Sequence, residues 1–245
     1  MPARLKDGQT VDPAQRAPGT RGPHAERSAS MRQRLVEAAI VCLCRVGYAA
    51  TTTQLVTQEA GVSRGAMLHH FPTKLDLVIA VGEHAATFQN RYVRRRLNEI
   101  APGMDRFLAL THATWEAVGQ PPALALIEIM VASRSDPGLA ERFPPVIDAL
   151  ESRQLADVWA MASEIGIRDR QSIERMVRLH RAAMRGLVLE RVFTGDMNAA
   201  EDSMELLGWY KRLLTGALLT NPSVADAGHP QPRDPRTGTD RIVGE

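Results

Sequence analysis

The sequence predicts an all-α protein with a three-helix N-terminal unit followed by a larger helical domain. Three observations lead there: apolar residues recur at three- and four-residue spacing over most of the chain, no alternating stretch marks a strand, and the pattern breaks at Gly and Pro. No internal repeat is found.

The elements follow in order. Residues 1–27 mix Pro2, Pro13, Pro18 and Pro23 with glycines and charges, offer almost nothing for a core, and are expected to form a disordered arm. Ser30 with Gln33 reads as a capping box, after which Leu35, Ala38, Ala39, Cys42, Leu43 and Val46 mark one buried helical face that Gly47 ends. Thr51, Thr52 and Thr53 offer hydroxyl caps to a short second helix carrying Leu55, Val56 and Ala60, which Gly61 terminates. Ser63 caps a third helix that runs through Met67 and Leu68 to about Phe71, where Pro72 stops it. Thr73 with Asp76 opens a long fourth helix, with Leu75, Leu77, Val78, Val81 and Phe88 on its apolar face and Arg94, Arg95 and Arg96 at its end. Longer amphipathic segments are expected near 104–119, 122–133, 145–164, 170–193 and 200–219. They are separated by Pro121-Pro122, Asp136-Pro137-Gly138, Pro144-Pro145, Gly166 and Gly195. Residues 222–245, with Pro222, Pro230, Pro232 and Pro235, are expected to form a second loose tail.

Composition narrows the function. The 245 residues are 44% hydrophobic and 4% aromatic, enough for a sizeable core, and no run of about 18 apolar residues suggests membrane insertion. The N-terminus lacks an apolar stretch behind its charges, so secretion is not indicated and a cytoplasmic protein is expected. Cys42 and Cys44 diverge on a helix and read as two reduced thiols. No phosphate-cradling glycine loop, nucleophile elbow or HExxH is present, so neither catalysis nor a cofactor is expected.

The net charge of +2 is modest, but its distribution is uneven. Between Ser28 and Lys74, Arg32, Arg34, Arg45, Arg64 and Lys74 face only Glu37 and Glu59, with His69 and His70 available beside an anion. Two short helices joined by Gly61-Val62-Ser63 fit a helix-turn-helix: the glycine permits the reversal, Val62 packs inward and Ser63 caps the second helix. That second helix is then the reader. Arg64 suits a bidentate guanine contact, and Gly65 and Ala66 are small enough for close approach to base edges. His69, His70 and Lys74 lie where phosphates pass, and Thr52 or Thr53 sits at a helix N-terminus that favours a phosphate. Metal binding by the adjacent histidines is the rival reading, but their side chains point about 100° apart on a helix, with no cysteine or carboxylate at ligand spacing. Arg94, Arg95 and Arg96 read as a solvated helix end, and Arg16, Arg21 and Arg27 as surplus charge on the arm.

With the approach from Gly47 to Thr52, then "AGVSRGAMLHHF", then "PTKLDL", residues 28 to about 90 resemble the DNA-binding domain of the tetracycline-repressor (TetR) family of bacterial regulators. The resemblance implies a two-fold dimer, DNA contacts from the second and third helices, and a helical C-terminal domain that binds an effector. Two departures stand out: the family usually has a tyrosine where Leu68 stands and an alanine where Thr57 stands. The first removes a phosphate-reaching hydroxyl; the second is read as a hydroxyl bonded to its own helix.

Domain bounds follow as 1–27 arm, 28–74 DNA-binding, 75–221 effector-binding and dimerisation, and 222–245 tail. A small apolar or amphipathic effector is expected, with His112, Trp115, Met130, Met184 and Arg185 as candidate contacts. The last two helices carry more apolar surface than one small domain needs. Met176, Leu187, Val188, Leu206, Trp209, Leu213 and Leu214 are the candidate dimer contacts in a four-helix bundle with a second copy. The expected function is a ligand-responsive homodimeric repressor on a near-palindromic operator. The alternative is a helix-turn-helix protein that binds DNA or a protein partner with no small effector.

Overall fold

Residues 23–220 are described by the computed structural model, and ten α-helices account for most of them. The first, α1 (Pro23–Ala50), starts earlier than expected. Residues 23–27, assigned above to the arm, are helical, and the rest of the arm and the 222–245 tail lie outside the described residues. The Ser30 capping box is likewise corrected: Ser30 sits inside the helix, and Gln33 Nε2 donates to Glu37 Oε1 at 2.8 Å instead. Gly47 does break α1, at φ 74° and ψ 175°, a left-handed value that glycine adopts without a Cβ penalty.

The short helices α2 (Thr53–Ala60) and α3 (Arg64–His70) follow, then the long α4 (Lys74–Leu97). The second half comprises α5 (Met104–Val118), α6 (Pro121–Ala132), α7 (Pro137–Arg142), α8 (Pro144–Glu164), α9 (Arg170–Thr194) and α10 (Met197–Thr220). Helix α7 was not anticipated. The Asp136-Pro137-Gly138 break is a helix start, with Asp136 accepting from the Leu139 N–H and Pro137 in the first turn, where a missing N–H costs nothing.

Three buried clusters hold these helices. The first joins α1, α2 and α3 to the N-terminal half of α4, to α6 and to Leu139 and Phe143. The second lies between α5, α8, α9 and α10 around Phe107, Val158, Ile173 and Leu218, and the third surrounds Trp115, Met184 and Met204. Helix α4 therefore belongs to two cores, with Leu77, Val78 and Val81 in the first and Leu97 in the second.

Candidate functional site

The turn between α2 and α3 is built by local chemistry. Thr52 caps α2, its hydroxyl oxygen accepting from the Leu55 N–H at 3.1 Å. Gly61 closes α2 in the left-handed region (φ 62°, ψ 43°), and Val62 N–H donates to the Thr57 carbonyl at 3.0 Å. Ser63 Oγ then accepts from Ala66 N–H at 3.1 Å, opening α3. The unusual Thr57 is buried and donates to its own helix, to the Gln54 carbonyl at 2.8 Å.

Met67, wholly buried, and Phe71 anchor α3 to α1 and α4. The opposite face carries Arg64, Gly65, Leu68 and His69 into solvent, with Ala66 and His70 half-buried beside them. The His69 and His70 rings meet edge to face, 5.2 Å apart. Most of the basic residues counted in this region are committed to the protein. Arg34 donates to the Ala60 carbonyl, Arg45 pairs with Glu59, and the Arg32 guanidinium lies over the Phe71 ring. Arg64 is different: it is exposed, with no partner among the described residues.

Lys74 departs from its expected role as a phosphate contact. Its Nζ turns inward, donates to the Tyr48 carbonyl at 2.7 Å and lies 4.0 Å from the Tyr48 ring centroid; burial lowers its pKa. The Tyr48 hydroxyl donates to Asp136 Oδ2 at 2.5 Å, and this bond holds the carboxyl below its ordinary range. Thr73 and Asp76 form the expected capping box, and Arg142 of α7 pairs with Asp76 at 2.9 Å. The start of α4 is thus clamped to the end of α1 and to α7.

The far half of α4 meets open space. A cavity of about 290 Å³ lies between Gln89, Asn90 and Val93 of α4, Leu110 and Thr114 of α5, and Gln154, Val158 and Met161 of α8. None of the five expected effector contacts lines it. His112 is exposed and 3.3 Å from Glu116; Trp115 is buried and donates to Glu201; Met130 packs in the first core. Met184 and Arg185 lie on small neighbouring lobes, where Arg185 pairs with Glu151 at 3.1 Å. Periodicity placed these side chains on helices without saying which faces three distant segments bring together.

The expected dimer contacts divide. Met176 and Val188 are buried in the chain's own core, and Leu187 and Leu214 are half-buried, so they are corrected to intrachain packing in whole or part. Leu206, Trp209 and Leu213 are more than half exposed, at 63%, 53% and 54%, and with Leu179 they leave an apolar face on α9 and α10. Among the described residues no helix is long and apolar enough to cross a membrane.

Known proteins share this arrangement. The family model for bacterial regulatory proteins of the tetR family matches residues 35–81, which run from the core of α1 to α4. The transcriptional regulator CymR of Pseudomonas putida is 28% identical over 74% of this chain and 89% of its own length. A Mycobacterium bovis helix-turn-helix regulator, Mb2936c, is 30% identical over 46% of this chain, which spans 58% of that protein. Among solved structures, a TetR-family regulator from Rhodococcus aligns over 76% of this chain and 99% of its own at TM-score 0.62 and 16% identity. The multidrug-binding protein EbrR aligns over 80% and 98% at TM-score 0.53 and 23% identity. Residues 35–81 thus form a DNA-binding domain of the tetR family of bacterial regulatory proteins, and the chain is a helix-turn-helix, DNA-binding transcriptional regulator.

Proposed function

We propose that the protein is a homodimeric repressor whose hold on a near-palindromic operator is released by a small effector. The observation that carries this reading is α4: one end is clamped directly after the reading helix, and the other walls the 290 Å³ cavity. An occupant that binds the two states of this helix with different affinity shifts the angle at which α3 is presented. The size of the cavity lies near the lower end for small organic ligands, and the similar EbrR is itself a multidrug-binding protein. The role is binding, without catalysis.

At the DNA, residues 28–74 form the reading head and 75–221 the effector and dimerisation domain. Arg64 reads a base, and Gly65 and Ala66 let the α3 backbone approach; the nearest atom to a Cβ built on Gly65 is Ser63 Oγ at 3.9 Å, so the chain's own packing does not require glycine there. Thr52 keeps its hydroxyl hydrogen for a phosphate, Thr53 lies beside it, and His69 and His70 grip the backbone. Lys74 serves by holding α3 and α4 to Tyr48. The exposed Leu206, Trp209 and Leu213 face covers the same face of a second copy.

In vitro selection from random duplex DNA tests this. A two-fold symmetric motif is expected, with half-sites about 34–36 Å apart. Arg64→Ala should cost about 1–3 kcal/mol on the selected site and relax preference at one base pair. Absence of a motif from folded, dimeric protein overturns the reading, and an unchanged preference in Arg64→Ala removes that residue's role.

A further inference from the structure

The described residues hold a second feature beside the cavity at α4: two buried nitrogen groups with no acid to match them. Lys211 enters from α10 and is 2% exposed. Its Nζ donates to the Phe107 carbonyl oxygen and lies 4.1 Å from the Phe107 ring centroid, and no carboxylate pairs with it among the described residues. His180 of α9 is 8% exposed; its Nδ1 is 2.9 Å from the Met176 carbonyl, and its Nε2 is buried without a partner. A carbonyl only accepts, so Nδ1 carries the hydrogen and Nε2 of the neutral ring presents a lone pair. The neighbouring acid is already shared: Glu151 pairs with both Arg181 and Arg185. A natural protein interior does not ordinarily leave such groups unmatched.

Both residues line a lobe of about 30 Å³ whose walls also include Thr114, Gln154 and Arg181. That is more than the roughly 10–15 Å³ one water needs, and it is enough for a head group but not a whole molecule. Leu110, Thr114, Gln154 and Val158 wall both this lobe and the 290 Å³ cavity, so the two are neighbours. Resting on the effector reading above, we infer that the effector is a small amphipathic carboxylic acid, its apolar body in the 290 Å³ cavity beside α4 and its carboxyl group between Lys211 Nζ and His180 Nε2. A hydrogen from Lys211 reaches one carboxyl oxygen, and a proton taken from solvent lies between the other oxygen and Nε2. The other charged group lining this lobe is Arg181, which is joined to Glu151, and the Tyr210 ring borders His180.

Calorimetric titration of the full chain with octanoate and 4-phenylbutanoate, against octanamide and 4-phenylbutanamide, tests the head group. Each acid should bind roughly tenfold or more tightly than its amide, the range of a hydrogen bond to a charged group. Titrations at pH 6, where Lys211 already carries its proton and His180 does not, in buffers of different ionisation enthalpy should show about one proton taken up with the acid, as the bridging proton requires, and none with the amide. Lys211→Met should abolish the preference while amide binding persists, and His180→Phe should remove the proton uptake. Equal or reversed preference in the wild type, or preference that survives Lys211→Met, overturns the carboxylate head and leaves the cavity reading standing. Failure of both series to bind overturns the two together.

Discussion

The two halves of α4 are built to opposite rules. Its N-terminal half is sealed: Leu77, Val78, Ala80, Val81, Gly82 and Ala85 are all buried, and the capping box, Lys74 and Arg142 fix the first turn. The C-terminal half exposes Arg94, Arg95 and Arg96 and turns Gln89, Asn90 and Val93 toward a cavity. Close-packed contacts pass displacement on because they cannot absorb it, whereas open space admits a ligand. One helix therefore supplies both a place where binding acts and a place where its effect is felt, and the difference between the halves can be broken experimentally.

The largest break is at Gly82. A Cβ built there would lie 2.5 Å from Cε2 of Phe143, whose ring is 2% exposed and has nowhere to move. Gly82→Val should lose stability toward the upper part of the roughly 1–3 kcal/mol typical of overpacking, read as a lower urea midpoint. A midpoint equal to wild type would mean the sealed half has slack, and the contrast between the halves would fail.

The opposite half should respond to charge. Burial pushes Lys211 down to about 7 from its ordinary value of 10.5, so between those pH values the unfolded chain binds more protons than the folded one and stability rises with pH. His180, pushed from 6.5 to about 4 first by burial, adds a rise below that window. Lys211→Met removes the upper rise. Its Tm should exceed wild type by on the order of 5 °C at pH 7, and the gap should shrink toward pH 10. A gap that is constant with pH would show that the cavity side holds no buried cation, and the acid-binding lobe would go with it.

This contrast also divides what the sequence makes legible. Thr52, Ser63 and the Thr73–Asp76 box work within one turn, so their spacing alone exposed them, and the helix-turn-helix was readable from "AGVSRGAMLHHF". Lys74 was misread because its partner, Tyr48, is 26 residues away and nothing local points to it. An apolar stripe reports burial without saying against what, so Met176 and Val188 looked the same as Leu206 and Trp209 although only the latter two remain uncovered. The cavity draws on α4, α5 and α8, and no spacing rule joins those segments. Lys211 did leave a signal: it shares the buried stripe of α10 with Met204, Thr215 and Leu218, where a charge is out of place.

The smallest effect tests how the sealed half is tied to the reading head. Tyr48, just after the Gly47 break, links α1 to α7 through Asp136, while its backbone carbonyl receives Lys74 at the start of α4. Burial and the neighbouring Asp136 raise the tyrosine's pKa, so the hydroxyl stays protonated and donates throughout the ordinary pH range. Tyr48→Phe keeps the ring under Lys74 and removes only the donated bond. Asp136 still caps α7 through the Leu139 N–H, so the loss should be about 1 kcal/mol, with operator affinity in the absence of effector little changed. The more telling quantity is the effector's leverage. With α7 no longer joined to the end of α1, a ligand in the cavity should shift operator affinity less than in wild type, because α1 and α4, still joined through Lys74, then move without the brace that α7 gives them. Undiminished release of the operator by effector in Tyr48→Phe would place the coupling elsewhere, in the α6 packing on α1 and α4.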